Sequence, residues 1–143
     1  MDAKGRMALP GRNRETLMVA SEGRLVVTID MREPCLLAYP LTEWETVQAK
    51  LESLSNINPQ ARLLQRLLIG HATDLELDSA GRLLPPAMLR EFAGLEKKLV
   101  LIGQGNKIEI WAAERWQNRL DQWLEESAAA LTNNGELFDG LSV

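Results

Sequence analysis

The sequence predicts an α+β protein built from two tandem copies of one small, strand-rich unit joined by short helices. Three observations carry that expectation. A pentapeptide recurs, with Asp2-Ala3-Lys4-Gly5-Arg6 returning as Asp78-Ser79-Ala80-Gly81-Arg82. The same series of signals follows each copy: an apolar step, a proline (Pro10, Pro86), a helical stretch with Arg-Glu (Arg14-Glu15, Arg90-Glu91), then an apolar strand. Before the second motif, Thr73, Leu75 and Leu77 alternate with Asp74, Glu76 and Asp78, the pattern of a half-buried strand. One matching pentapeptide can arise by chance, but the whole ordered series indicates duplication.

Each copy reads as strand, tight turn, strand, short helix, hairpin and helix. Gly5 and Gly81 stand where a reversing chain needs positive φ, which glycine adopts without steric cost. Asp2 and Asp78 open the turns, where a short carboxylate can accept bonds from the following backbone N–H groups. Pro10 and Pro85-Pro86 stop strand pairing and can begin a helix, and Gly94 ends the second copy's helix. Leu25-Val26-Val27-Thr28-Ile29 and Leu99-Val100-Leu101-Ile102 are the first hairpin strands, and the second strands end on Tyr39 and Trp111. Gly103-Gln104-Gly105 reads as the second hairpin turn, with a longer turn in the first copy. Helices open at Leu41-Thr42-Glu43-Trp44 and Ala113-Glu114-Arg115-Trp116.

Apolar stripes assign the helix faces: Trp44, Val47, Leu51 and Leu54, and later Trp116, Leu120, Trp123, Leu124 and Leu131. Asn58-Pro59 opens a linking helix in which Leu63, Leu64, Leu67 and Leu68 are expected to pack. The tail after Asn133-Asn134-Gly135 lacks strong periodicity and is expected to be mobile. The strand matching Thr73–Leu77 is absent before the first motif, so the first domain is expected to lack its N-terminal strand. The expected divisions are a first domain at residues 1–46, linking helices at 47–70, a second domain at 71–118, and a C-terminal helix and tail at 119–143.

Composition narrows the function classes. Hydrophobic content of 45% and charged content of 25% are ordinary for a folded protein. No apolar run approaches the roughly 20 residues that cross a bilayer. A single cysteine, Cys35, offers no disulfide framework, which makes the cytoplasm the expected compartment. With one histidine, His71, and one cysteine, no metal-ligand spacing exists, and no phosphate-binding loop or nucleophile elbow is present. Neither catalytic residues, cofactor, metal nor small-molecule substrate is expected. Cys35, within Pro34-Cys35-Leu36-Leu37, reads as core.

Net charge is −4, yet the charge is unevenly placed. The first fourteen residues carry Lys4, Arg6, Arg12 and Arg14 against Asp2 alone. Arginine on a rigid turn can reach guanine O6 and N7 with its planar fork, and a neighbouring lysine can neutralise phosphate. The second copy keeps Arg82 and Arg90 but has Ala80 where the first has Lys4. The DNA-binding candidates are therefore Lys4, Arg6, Arg12, Arg14 and Arg82, on turns shaped by Asp2, Gly5, Asp78 and Gly81. The plainer reading has each Asp pair with the Arg of its own turn, and it fits the second copy better than the first. One turn buries little surface, so DNA binding would require several turns displayed side by side by an oligomer.

The paired D-x-x-G-R motifs, each followed by proline, resemble those of the MraZ family. Further matching stretches are Pro34-Cys35-Leu36-Leu37-Ala38-Tyr39-Pro40, Glu43-Trp44, Asn58-Pro59, Leu68-Ile69-Gly70-His71-Ala72 and Asp78–Pro85. The resemblance implies two tandem domains of the SpoVT-AbrB type, a swapped-hairpin, split β-barrel fold assembled into homo-oligomeric rings. In that family a further strand precedes the first motif. It also implies a nucleoid-associated regulator, usually a repressor, that binds double-stranded promoter DNA at short direct repeats before the division and cell-wall gene cluster. The segments Asp2–Arg6 and Asp78–Arg82 would be the DNA-contacting elements. An antitoxin-like module whose stretch 136–143 folds on a partner, and a ring-shaped protein scaffold, are the alternatives.

Overall fold

Each motif turn leads into a strand too short to stand alone, β1 (Met7–Ala8) and β5 (Arg82–Leu83). These two strands pair with each other, antiparallel, placing Met7 opposite Leu83 and Ala8 opposite Arg82. Pro10 and Pro86 then cap the first helix of each copy, α1 (Gly11–Ser21) and α4 (Ala87–Ala93). With fixed φ and no N–H, proline ends the pairing and costs the helix no bond at its first turn. Gly94 closes α4 in the left-handed region at φ 61, as expected, whereas Glu22 takes that conformation at the end of α1.

The hairpins are β2 (Arg24–Ile29) with β3 (Leu36–Pro40), and β6 (Leu99–Gln104) with β7 (Lys107–Ala112). They join through β3 and β7, which pair antiparallel about Leu37 opposite Glu109. The strand β4 (Thr73–Glu76) belongs to the second copy but pairs with β2 of the first, Leu75 facing Leu25. The sheet order is therefore β4-β2-β3-β7-β6. Strands of one copy complete the sheets of the other, the α+β swapped-hairpin arrangement that the resemblance implied.

Both faces of the sheet are covered. On one face Met7, Leu9, Leu17, Leu25, Val27, Leu36, Leu83, Leu89 and Ile110 form a core drawn from both copies. On the other, Val26, Leu37 and Tyr39 pack with Trp44 and Leu51 of α2 (Leu41–Glu52). The chain divides into two compact units, Met1–Ala112 and a second beginning at Ala113. The second unit is described as α5 (Ala113–Asn133), in which Trp116 and Trp123 meet edge to face at 5.7 Å and Arg119 lies over the Trp123 ring. Leu124 of its expected stripe is 60% exposed. The structure, a computed structural model, describes residues 1–133, and side chains up to 129. The Leu131 side chain and the tail, including the stretch 136–143, lie outside the described residues.

The linking segment departs from expectation in part. Asn58 caps α3 (Pro59–Leu64), its Oδ1 accepting from the Gln60 and Ala61 N–H groups at 2.8 and 3.3 Å. The helix then widens into a π-helical turn, Gln65–Ile69. The buried Thr28 hydroxyl donates to Leu68 O of that turn at 2.6 Å. Leu64, Leu67 and Leu68 are half-buried, but Leu63 is exposed. It stands two positions after the buried Ala61, about 200° round the helix, and so faces away from the core. The second hairpin turn falls at Gly105-Asn106 instead of residues 103–105, because Gly103 and Gln104 still pair within β6. Leu54 lies beyond the end of α2 and is exposed.

Candidate nucleic-acid interface

The two motif turns close by the same bonds. Asp2 N–H donates to Arg6 O at 2.9 Å and Gly5 N–H to Asp2 O at 3.1 Å. Asp2 Oδ1 accepts from the Lys4 and Arg6 N–H groups, both at 2.9 Å, and Oδ2 accepts from Arg6 Nε at 2.7 Å. Asp78 repeats the set with Ala80 N–H, Arg82 N–H and Arg82 Nε, each at 2.9 Å. Both carboxyls are held below the usual carboxylate range, first by the backbone N–H of the motif arginine. Each aspartate thus builds its turn and aims its arginine.

Pairing between Asp and Arg within a turn occurs in both copies, not in the second alone. It engages the guanidinium through Nε, so the Nη groups are the part of the fork left for a further acceptor. The two turns also meet. Arg82 Nη1 lies 3.9 Å from Asp2 Oδ2, across the β1–β5 pairing. A fork held at its Nε has fewer rotamers to lose when its outer edge binds a planar acceptor.

The arginine on the helix of each copy crosses to the turn of the other. Arg14 Nε donates to Leu9 O at 3.0 Å, and its Nη1 lies 3.5 Å from Ala80 O. Its side chain covers Gly81, at φ 73, so closely that a Cβ there would overlap it. Arg90 mirrors this, donating from Nε to Pro85 O at 3.0 Å and laying its guanidinium over Gly5, at φ 89. Only glycine meets both demands, a left-handed backbone and room for a guanidinium.

Of the sequence-derived candidates, the structure brings Arg6 and Arg82 together on adjoining turns, with Lys4 exposed beside them. Arg12 is exposed at the start of α1 and lines a polar cleft of about 430 Å³ with Asn13, Gln104, Asn106 and Lys107. Arg14 is engaged with two backbone carbonyls. Arg90 was not among the candidates, although its match to Arg14 in the repeat carried the signal.

Two other groups bear on chemistry. Asp30, Cys35 and Glu109 bring their side-chain heteroatoms within 4.8 Å of one another. Burial, followed by the nearby carboxylates, pushes the Cys35 thiol far above its ordinary range. A thiol so held is protonated at neutral pH and a poor nucleophile. It sits 3.7 Å from Asp30 Oδ2, while Glu109 Oε1 accepts from Trp111 Nε1 at 3.0 Å. His71, before β4, places Nδ1 2.7 Å from Leu67 O. No helix among the described residues is long and apolar enough to cross a membrane.

A family model described as "MraZ protein, putative antitoxin-like" matches the chain twice, over residues 1–67 and 68–139. A protein of Hydrogenovibrio crunogenus named transcriptional regulator MraZ is 50% identical over 142 residues, covering 99% of this chain and 90% of its own length. Its namesake from Marinomonas is 56% identical over 128 residues, covering 90% of this chain and 85% of the relative. The one from Yersinia pestis is 45% identical over 143 residues, covering all of this chain and 94% of the relative. With two adjoining matches of one family model and relatives of this identity along nearly the whole length, the chain belongs to the MraZ family.

Proposed function

We propose that this chain is a DNA-binding transcriptional regulator whose reading surface is the pair of motif turns. The observation that supports it is the joining of those turns by β1 and β5, which sets Arg6 and Arg82 side by side with Lys4 exposed. Arg6 and Arg82 present guanidinium edges to base acceptors, while Lys4 and Arg12 neutralise phosphates. Asp2, Gly5, Asp78 and Gly81 shape the turns, and Arg14 braces the second turn from the first copy's helix. One such pair of turns is small beside the roughly 1,000–2,500 Å² of protein surface that specific DNA recognition buries. Several copies in a homo-oligomeric ring, each placing its turns on one of a series of short direct repeats, meet that need. The target in this reading is promoter DNA of the division and cell-wall gene cluster, the effect is repression, and the site of action is the nucleoid in the cytoplasm.

The test is a titration of a labelled duplex carrying short direct repeats, over a salt series, with the wild-type chain and Arg6→Ala. Tight binding that weakens with salt and is lost in the variant is the expected result. Binding that is insensitive to salt, or equal in Arg6→Ala, overturns the assignment of the turns.

A further inference from the structure

We propose that Arg90 is a positioning residue for DNA reading by the first copy, acting on a turn that belongs to the other half of the repeat. The inference deepens the DNA reading above and rests on it. Arg90 stands on α4, after the second motif, yet its guanidinium occupies the space where a Cβ of Gly5 would stand, with Lys4 and Arg6 on either side in the chain. Its Nε is anchored on Pro85 O at 3.0 Å, so the plane is fixed from the second copy's side. Arg14 repeats the arrangement in reverse, from α1 onto Gly81. Two equivalent residues making the same crossed contact in opposite directions mark a built feature and not a chance rotamer.

The physical role follows from the turn itself. The Asp2–Arg6 turn is closed by its own bonds and tied outward by the Met1 amino group, which donates to Lys97 O, and by Arg82 beside Asp2, while the strand behind it, β1, has only two residues. The Arg90 guanidinium packed against Gly5 adds a restraint at the middle of the turn, where the other two do not reach. Guanine readout by a fork tolerates little error in position, so a rocking turn loses affinity while every phosphate contact remains possible. Arg90 therefore raises specific binding without touching DNA, and each copy's reading turn is aligned by the other copy.

The experiment compares wild type, Arg90→Ala, Arg90→Lys and Lys4→Ala on the same repeat-bearing duplex over a salt series. Thermal unfolding and the backbone ¹⁵N relaxation of Lys4, Gly5 and Arg6 are measured alongside. Arg90→Ala is expected to weaken specific binding about tenfold or more while leaving the slope of log K against log salt unchanged, because no phosphate contact is lost. Its Gly5 amide becomes mobile on the ns scale. Arg90→Lys keeps the charge and the stem but not the plane, and is expected to match the alanine variant; it also carries the test if Arg90→Ala does not fold. Lys4→Ala, in contrast, flattens the salt slope. Wild-type affinity in Arg90→Ala, a flattened slope there, or full rescue by lysine overturns the inference, the last two by showing that Arg90 meets DNA through its charge. A wild-type chain that ignores the duplex overturns the DNA reading instead. Turn amides in Arg90→Ala as rigid as in wild type then overturn the clamp as well, whereas mobile ones uphold it.

Discussion

Met7 lies directly opposite Leu83, so the strand after each motif meets its own counterpart from the other copy. Leu37 and Glu109 hold the matching place in the large sheet, and β4 of the second copy covers the edge of β2. Met7 and Leu83 both belong to the shared core. Neither copy then has a core to keep when the other opens. Leu83→Ala is expected to destabilise residues 1–112 by about 2–5 kcal/mol. Hydrogen exchange in urea should show β2 and β6 amides losing protection together. Separate transitions for the two hairpins would contradict the shared core.

Gly81 and Gly105 allow the backbone and packing costs to be told apart. Both have positive φ, 73 and 68, but a Cβ at Gly81 would meet Arg14 whereas Gly105 has open space. Gly105→Ala should cost about 1–2 kcal/mol from the left-handed backbone alone. Gly81→Ala should cost more, and the excess should shrink in an Arg14→Ala background. Denaturant midpoints of the four proteins check this.

Asp2 and Asp78 give the turns a defined pH response. Their carboxyls sit below the ordinary value of 3.8, chiefly through the backbone N–H of Arg6 and Arg82. A depressed carboxylate pKa contributes stability that is fully present above the unfolded value and lost as pH falls through the lower, folded one. The Gly5 and Gly81 amide shifts should therefore be constant from about pH 5 to 8 and move together in acid below about 3.8. An inflection near neutrality would contradict the arrangement.

Lys4 and Ala80 occupy equivalent places on the two turns, both exposed. If Lys4 neutralises one phosphate, Lys4→Ala should reduce the salt slope by about 0.9. Ala80→Lys should raise it by a similar amount, because the Ala80 backbone already has the conformation that Lys4 uses. A slope unmoved by both changes would place the lysine away from DNA.

The local structure was legible in the sequence because each element announces itself by short-range chemistry. The repeated aspartate, glycine and arginine define the turns, prolines start α1 and α4, and Asn58 caps α3. The pairing between copies was not, since alternation in Thr73–Leu77 states that a strand has one buried face but not which strand lies beside it. The π-helical turn at Gln65–Ile69 has no composition cue either; the Thr28 hydroxyl reaching Leu68 O is a tertiary bond. Within the site, Lys4, Arg6 and Arg82 stood out by charge on a turn. Arg12 and Arg14 were candidates by their nearness to that turn, whereas Arg90 read as a helix cation, and the contacts of Arg14 with Gly81 and of Arg90 with Gly5 depend on packing between the copies.

A symmetric dimer of identical chains must offer a target the same face from either side. Here the two halves are covalently one, and they have drifted apart: Lys4 of the first copy corresponds to Ala80 of the second, and Arg12 to Met88 at the start of the helices. The paired turns therefore have a left and a right. On the DNA reading proposed above, such polarity suits a sequence that also has direction, and neighbouring protomers on it would all point the same way, as coaches do in a train.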